Sequence, residues 1–223
     1  MLNFLGCGGA FAFKYKNNSA YFIKDRTMYL FDCGESVFST IMEKDLLDKF
    51  DKLTVFITHL HSDHCGSLAT LVPYVFFRKG TKTTIVYDAK ENLAKLLELM
   101  YVNSEKYEIL NSKEFADFPV ESFEQEHELN SFGYMFKLND KTIYFSGDAI
   151  KINQKALELM NNGKIDFFYH DATVNVTVKH VSIYEIFEKV KPEFHDRIYI
   201  MHYDDEIKNA AIELGLKIVA VEG

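Results

Sequence analysis

Leu53-Thr-Val-Phe-Ile-Thr58 runs directly into His59-Leu-His61-Ser-Asp63-His64, and the stretch 66–77 that follows has the apolar spacing of a helix. An unbroken β-branched and aromatic run of this length predicts a buried strand. Four side chains able to ligate a metal therefore gather in one strand-to-helix loop. A lone loop histidine is as readily explained by a structural hydrogen bond. Four ligand-type groups packed into six positions, in a chain with only 8 histidines among 223 residues, are not. Imidazole nitrogens and carboxylate oxygens suit Zn²⁺ at roughly 2.0–2.2 Å, and a strand end can aim neighbouring side chains at one point. On this spacing His59 and His61 reach one ion, and Asp63 and His64 a second.

Outward from this loop, strand-type runs lie at 2–5, 20–23, 28–31, 84–87, 107–110, 133–138, 142–145, 167–170, 197–201 and 217–221. Helical spacing fits 37–48, 90–100, 154–161, 183–190 and 206–214, with Gly163 and Gly215 as C-terminal stops. Strands come in hairpin-like pairs before the first helix and then alternate with helices. That order predicts an α/β protein with two sheets and outer helices, an αββα sandwich, over a purely parallel doubly wound sheet. With 3 prolines and no repeat or low-complexity tract, one domain is expected over residues 1–223.

Hydrophobic content of 48% beside 26% charged residues is ordinary for a globular chain, and no apolar run approaches the roughly 20 residues that span a bilayer. The N-terminus lacks the basic region of a secretory signal, so a cytoplasmic protein is expected. Cys7, Cys33 and Cys65 form no CxxC pair and read as reduced thiols. A net charge of -8 argues against a surface that tracks long nucleic acid through many phosphate contacts.

Further segments complete a pattern around the loop. Asn17-Asn-Ser-Ala20 and Phe31-Asp-Cys-Gly-Glu35 precede it. His127 with Phe132-Gly-Tyr134, Asp148 in Phe145-Ser-Gly-Asp-Ala149, and His202 in Ile198-Tyr-Ile-Met-His202 follow. With these in view the chain resembles the metallo-β-lactamase superfamily, and within it the ribonuclease Z-like branch, over nearly its whole length. The resemblance implies that Asp32 orients the metal loop, that His59, His61 and His127 hold one ion, that Asp63, His64 and His202 hold the other, and that Asp148 bridges them. Two Zn²⁺ per chain are implied, with Mn²⁺ tolerating the same mixed ligands.

His170-Asp-Ala-Thr173, followed by Lys179-His180-Val-Ser182, is similar to the segment where that branch places an acidic residue and a histidine for phosphate chemistry. The branch usually has glutamate where Asp171 stands, and the shorter carboxylate has less reach toward His180. In the implied reaction Asp63 orients or deprotonates the nucleophile, while His180, held by Asp171, stabilises the transition state or protonates the leaving oxygen. His170 and His195 read as structural or surface residues.

Ribonuclease Z carries a long tRNA-clasping arm between the third-motif histidine and the bridging aspartate, whereas one hairpin fills that interval here. The chain is therefore most similar to small cyclic-nucleotide phosphodiesterases of this branch, including phage anti-Pycsar proteins that destroy cyclic pyrimidine signals of bacterial defence. The resemblance implies a small nucleotide substrate and a homodimer whose partner subunit helps close the pocket. Three other readings stand beside it. A tRNA 3′-processing endonuclease would have Lys14, Lys16, Arg78, Lys79 and Lys82 as its few basic contacts. A thioester or lactone hydrolase would leave the Asp171 to His180 segment idle. A metal-binding module without catalysis is disfavoured because no ligand position is lost.

Overall fold

The computed structural model describes residues 1–175 and 179–221. Strands β1 (Asn3–Gly6), β2 (Ser19–Lys24), β3 (Thr27–Phe31), β4 (Lys52–Phe56), β5 (Thr83–Val86) and β6 (Tyr107–Leu110) pair in that order in one sheet. Strands β7 (Val120–Gln125), β8 (Ser131–Leu138), β9 (Lys141–Phe145), β10 (Phe167–Asp171), β11 (Ile198–Met201) and β12 (Lys217–Ile218) pair in sequence in the other. In each sheet an antiparallel three-strand meander leads into parallel strands. The two halves thus share one topology. Helices α1 (Val37–Glu43), α2 (Ser62–Cys65), α3 (Leu68–Lys79), α4 (Lys90–Leu99), α5 (Gln154–Asn161), α6 (Ile183–Lys189) and α7 (Asp205–Glu213) connect the strands, giving the expected αββα sandwich.

Alternation along the strands makes the layers. On β3, Tyr29 and Phe31 face the inter-sheet core, while Met28 and Leu30 pack in the cluster under α1, α3 and α4. Between the sheets the filling is aromatic: Phe31 stacks on Phe56 at 4.9 Å and on Phe136 at 5.0 Å, and meets Phe145 at 5.4 Å. Offset rings at such separations add to the large area each buries.

Three local expectations are corrected. The helix expected over 37–48 stops at Glu43, because Asp45 turns left-handed (φ 51), and a 3-10 turn Leu46–Lys49 follows. The strand expected over 217–221 shrinks to β12, and Val221 instead bridges Phe4 in the first sheet. Strand β7 was not foreseen, since Glu121 and Glu124 interrupt its apolar pattern; it is an edge strand paired with β8, where charged side chains are tolerated. No described helix is long and apolar enough to cross a membrane.

Asp32 succeeds β3, the His59–His64 loop succeeds β4, His127 succeeds β7, Asp148 succeeds β9, Asp171 ends β10, and His202 succeeds β11. All lie at carboxyl ends of strands, the edge where open α/β sheets place their ligands.

Candidate metal centre

Asp32 anchors the loop from below. Its Oδ1 accepts the Thr58 peptide N–H at 2.7 Å and its Oδ2 the Thr58 hydroxyl at 2.9 Å. With its own proton given to Asp32, the Thr58 oxygen can only accept from His59 Nδ1, 3.1 Å away. His59 is thereby fixed as the Nδ1–H tautomer, and its Nε2 lone pair is aimed at Nδ1 of His61, 2.9 Å off. His61 in turn directs Nε2 to Glu128 Oε1 at 3.1 Å, which leaves its Nδ1 for ligation. His64 Nδ1 donates to Asp32 Oδ2 at 2.8 Å.

Asp63 and His64 stand on the helical turn α2, not in an open loop as the sequence had suggested. There Asp63 Oδ2 lies 3.3 Å from His64 Nε2 and 3.1 Å from His202 Nε2. Close backbone approach makes this possible: a Cβ on Gly34 would sit 1.9 Å from the Asp63 carbonyl oxygen, so only glycine fits beneath the turn. Gly147 is left-handed (φ +64) with Thr58 against it, a Cβ there falling 2.7 Å from Thr58 Cβ, and this bend delivers Asp148. Asp32 and His202 themselves hold left-handed backbones, φ 61 and φ 54, a conformation that costs non-glycine residues about 1–3 kcal/mol and tends to persist where function needs it.

The ligating atoms of His59, His61 and His127 lie within 4.8 Å of one another, as do those of Asp63, His64 and His202, and those of His59, His64 and Asp148. The residues that the resemblance assigned to two ions are thus brought together in those two groups, with Asp148 between them. The buried atoms also leave a place for a cation. His64 Nε2 and Asp148 Oδ1 face each other at 3.4 Å, and neither has a hydrogen-bond partner among the described residues. Buried polar atoms are normally satisfied, and an imidazole nitrogen opposite a carboxylate oxygen is satisfied by a cation once the nitrogen gives up its proton. The mixed N/O donor set suits zinc or manganese.

The charges agree with this. Burial opposes ionisation of Asp148, yet His202, His64 and His59 overcome it and hold the carboxyl well below the usual range. Asp63 behaves likewise, desolvation being outweighed by the hydrogen bond from His202 and by His64 beside it. Burial, then the charge of His64, pushes His59 well down, and burial pushes His127 down, so both are neutral imidazoles fit to ligate. Desolvation pulls His64 down, but Asp148 and Asp32 on either side push it well above the ordinary value; metal binding would displace its Nε2 proton.

Beside the ligand set, Asp171 is fully buried and Oδ2 lies 2.9 Å from His180 Nδ1, so the shorter carboxylate does reach. The same Oδ2 accepts the Ala149 N–H at 3.2 Å, and Oδ1 lies 3.3 Å from the Ser146 hydroxyl. Burial lowers the His180 pKa, but its bond to Asp171 and the charges of Asp171 and Asp148 outweigh that and push it up to about 9. His180 Nδ1 is 3.8 Å from Asp148 Oδ2, and its ring lines the cavity of about 600 Å³ into which the centre opens. His170 is buried against Asp171, Nδ1 to Oδ1 at 3.0 Å, and His195 Nε2 donates to the Val190 carbonyl at 2.8 Å; both are structural. Sequence reasoning missed Thr58 and Glu128 as tautomer-setting partners. Their only signal was adjacency, Thr58 before the first ligand and Glu128 after His127.

A family model for the anti-Pycsar protein Apyc1 matches residues 1–98 and 86–221. The chain belongs to the anti-Pycsar Apyc1 family. Within reach of that family, the Apyc1 protein of Paenibacillus harenae is 25% identical over 224 residues, covering 92% of this chain and 90% of its own length. A ribonuclease Z of Methanococcus maripaludis strain C7 is 28% identical over 171 residues, covering 71% of this chain but 54% of its own. Among solved structures, the metallo-β-lactamase-fold protein YhfI of Bacillus subtilis superposes with a TM-score of 0.76 at 16% identity, covering 97% of this chain and 94% of that one. The superposition shows the metallo-β-lactamase fold, and the family match together with the ribonuclease Z similarity sets the chain in the ribonuclease Z-like branch of that superfamily.

Proposed function

We propose that this chain is a dinuclear metal-dependent phosphodiesterase acting on a small phosphodiester, a cyclic mononucleotide above others. The observation that carries the reading is the His180–Asp171 pair, 2.9 Å apart and set 3.8 Å from Asp148 at the edge of the ligand cluster. His59, His61 and His127 would hold one ion, Asp63, His64 and His202 the other, and Asp148 both. Two divalent ions bound there supply Lewis acidity toward a phosphoryl group and lower the pKa of water at the centre. Asp63, kept ionised by its neighbours, accepts a hydrogen bond from the attacking water and orients it. His180 enters protonated, donates to the oxygen that leaves phosphorus, and is steadied as a cation by Asp171. An acyl substrate has less use for such a donor.

Several observations favour a compact substrate over tRNA. Only the hairpin of β8 and β9 separates the loop of His127 from Asp148. The match to ribonuclease Z covers about half of that enzyme. Lys14 is engaged by Asp205 at 2.7 Å and Lys16 by Glu43, which leaves little free cationic surface on that loop. The name of the family supports a cyclic nucleotide of bacterial defence as the substrate. We read the working form as a cytoplasmic homodimer; exposed Phe77 at the end of α3 and exposed Leu99 and Tyr101 at the end of α4 supply apolar surface for a second copy. The test is a side-by-side assay of cyclic mononucleotides, a precursor tRNA and a thioester. Turnover confined to cyclic nucleotides is expected, and cleavage of the tRNA or thioester at a higher kcat/KM would overturn the reading.

A further inference from the structure

The loop between β1 and β2 is built as a rigid lip on the cavity. Gly9 and Ala12 close a turn (Ala12 N–H to Gly9 O, 3.0 Å), and Cys7 and Gly8 donate to the carbonyls of Tyr15 and Lys16 at 3.0 and 2.8 Å. Tyr15 packs edge-on to Tyr203 with centroids 5.0 Å apart and hydrogen-bonds Asp205, while Lys14 Nζ pairs with the same carboxylate. The loop is therefore docked on the connection that carries His202. Gly9 itself lies against that ligand, a Cβ there meeting His202 Cε1 at 3.3 Å.

From this anchored lip two rings point outward. Phe11 is 88% exposed and Phe13 81%, although Tyr15 of the same loop is tucked in. Isolated exposed apolar residues are unremarkable. These two, however, line the same cavity as His61, Asp63, Asp148 and His180. One end of that cavity is a set of imidazoles and carboxylates suited to a metal-borne phosphate, and the other is bare aromatic surface with its lysines engaged elsewhere. The complementary ligand is amphipathic, a phosphate joined to a flat ring. A volume of about 600 Å³ lies within the range of pockets that hold such molecules.

We propose that Phe11, flanked by Phe13, is the nucleobase-stacking surface of this site, so that the lip recognises the base while the metal centre takes the phosphodiester. The inference rests on the phosphodiesterase reading for its phosphate end only. Stacking on one aromatic side chain is sequence-tolerant, so the lip selects nucleotides as a class and leaves discrimination among bases to polar contacts. It acts in binding and takes no part in proton transfer.

The test compares a nucleoside 5′-monophosphate with ribose 5-phosphate by calorimetry on the zinc-reconstituted protein, parent against Phe11→Ala, Phe11→Trp and Phe13→Ala. Base–aromatic stacking is lost on alanine substitution with about a 5- to 150-fold weakening of affinity. Phe11→Ala should weaken nucleotide binding by that factor and so erase most of the advantage of nucleotide over sugar phosphate. Phe11→Trp should restore it, and Phe13→Ala should have the smaller effect. Equal nucleotide affinity in parent and Phe11→Ala overturns the proposal. So does an equal loss for both ligands, which would make the loop a mere support, or a halved sedimentation mass with unchanged affinity, which would assign the rings to a second copy. A protein that binds nucleotide through Phe11 but cleaves no cyclic nucleotide keeps this inference and loses the phosphodiesterase reading.

Discussion

Asp148 has one oxygen 3.4 Å from His64 and 3.7 Å from His202 and the other 3.8 Å from His59, so a single carboxylate balances imidazoles from both ligand groups. Its removal leaves the two ligand groups without the carboxylate they share. Asp148→Ala should abolish metal retention and turnover together; activity within about tenfold of the parent, a barrier change near 1.4 kcal/mol, would exclude the bridging role. His180 lies within 4.8 Å of Asp148 and His202 as a possible ligand, but its Nδ1 is engaged by Asp171 at 2.9 Å and the resemblance assigns it no ion. His180→Ala should keep bound metal and melting temperature while kcat for a cyclic nucleotide falls by about 10²–10⁴, the worth of a positioned acid or electrostatic stabiliser. Unchanged kcat in the folded, metal-replete variant would remove it from the mechanism. The pair with Asp171 also has a signature in metal-stripped protein. The folded His180 pKa of about 9 lies above its ordinary 6.5, so the stability it contributes is fully present below about 6.5 and lost as pH rises through about 9. Melting temperatures across that window should fall more steeply for the parent than for His180→Ala, and parallel curves would contradict the assignment.

At the scale of elements, legibility followed burial. Strands β4 and β10, central in their sheets and buried on both faces, read as continuous apolar runs, and their spans were predicted to within about two residues. Edge strand β7 was invisible because Glu121 and Glu124, on opposite faces, break its apolar pattern, and the end of α1 was misplaced because a left-handed Asp45 leaves no trace in apolar spacing. The inter-sheet aromatic layer was legible as composition but not as geometry. Phe31 stacks against rings from both sheets there. Phe31→Ala should cost about 3–5 kcal/mol in denaturant unfolding, as for other buried phenylalanines, and a loss under 1 kcal/mol would mean that the layer repacks around the hole.

For the whole molecule, two topologically matched halves meet with their strand ends along one edge, and the candidate ligands come from both: Asp63 from the first sheet, Asp148 and His202 from the second. The ligand types and their order were visible in sequence because HxHxDH concentrates them locally. What was not visible was the supporting shell. Thr58 reaching back to Asp32, and Glu128 reaching across to His61, are pairings that only the closed sandwich creates. Such a centre, assembled between halves, should also act as a brace. Metal removal should lower the melting temperature, because an ion bound only by the folded state stabilises it by mass action. An unchanged melting temperature after chelation would show that no resident ion links the halves. Joint action of two ions on a phosphodiester is tested most directly by titrating metal into stripped protein while following cyclic-nucleotide hydrolysis. Turnover should rise until two equivalents per chain have been added and then level off. A plateau at one equivalent, or hydrolysis that persists without added metal, would contradict it.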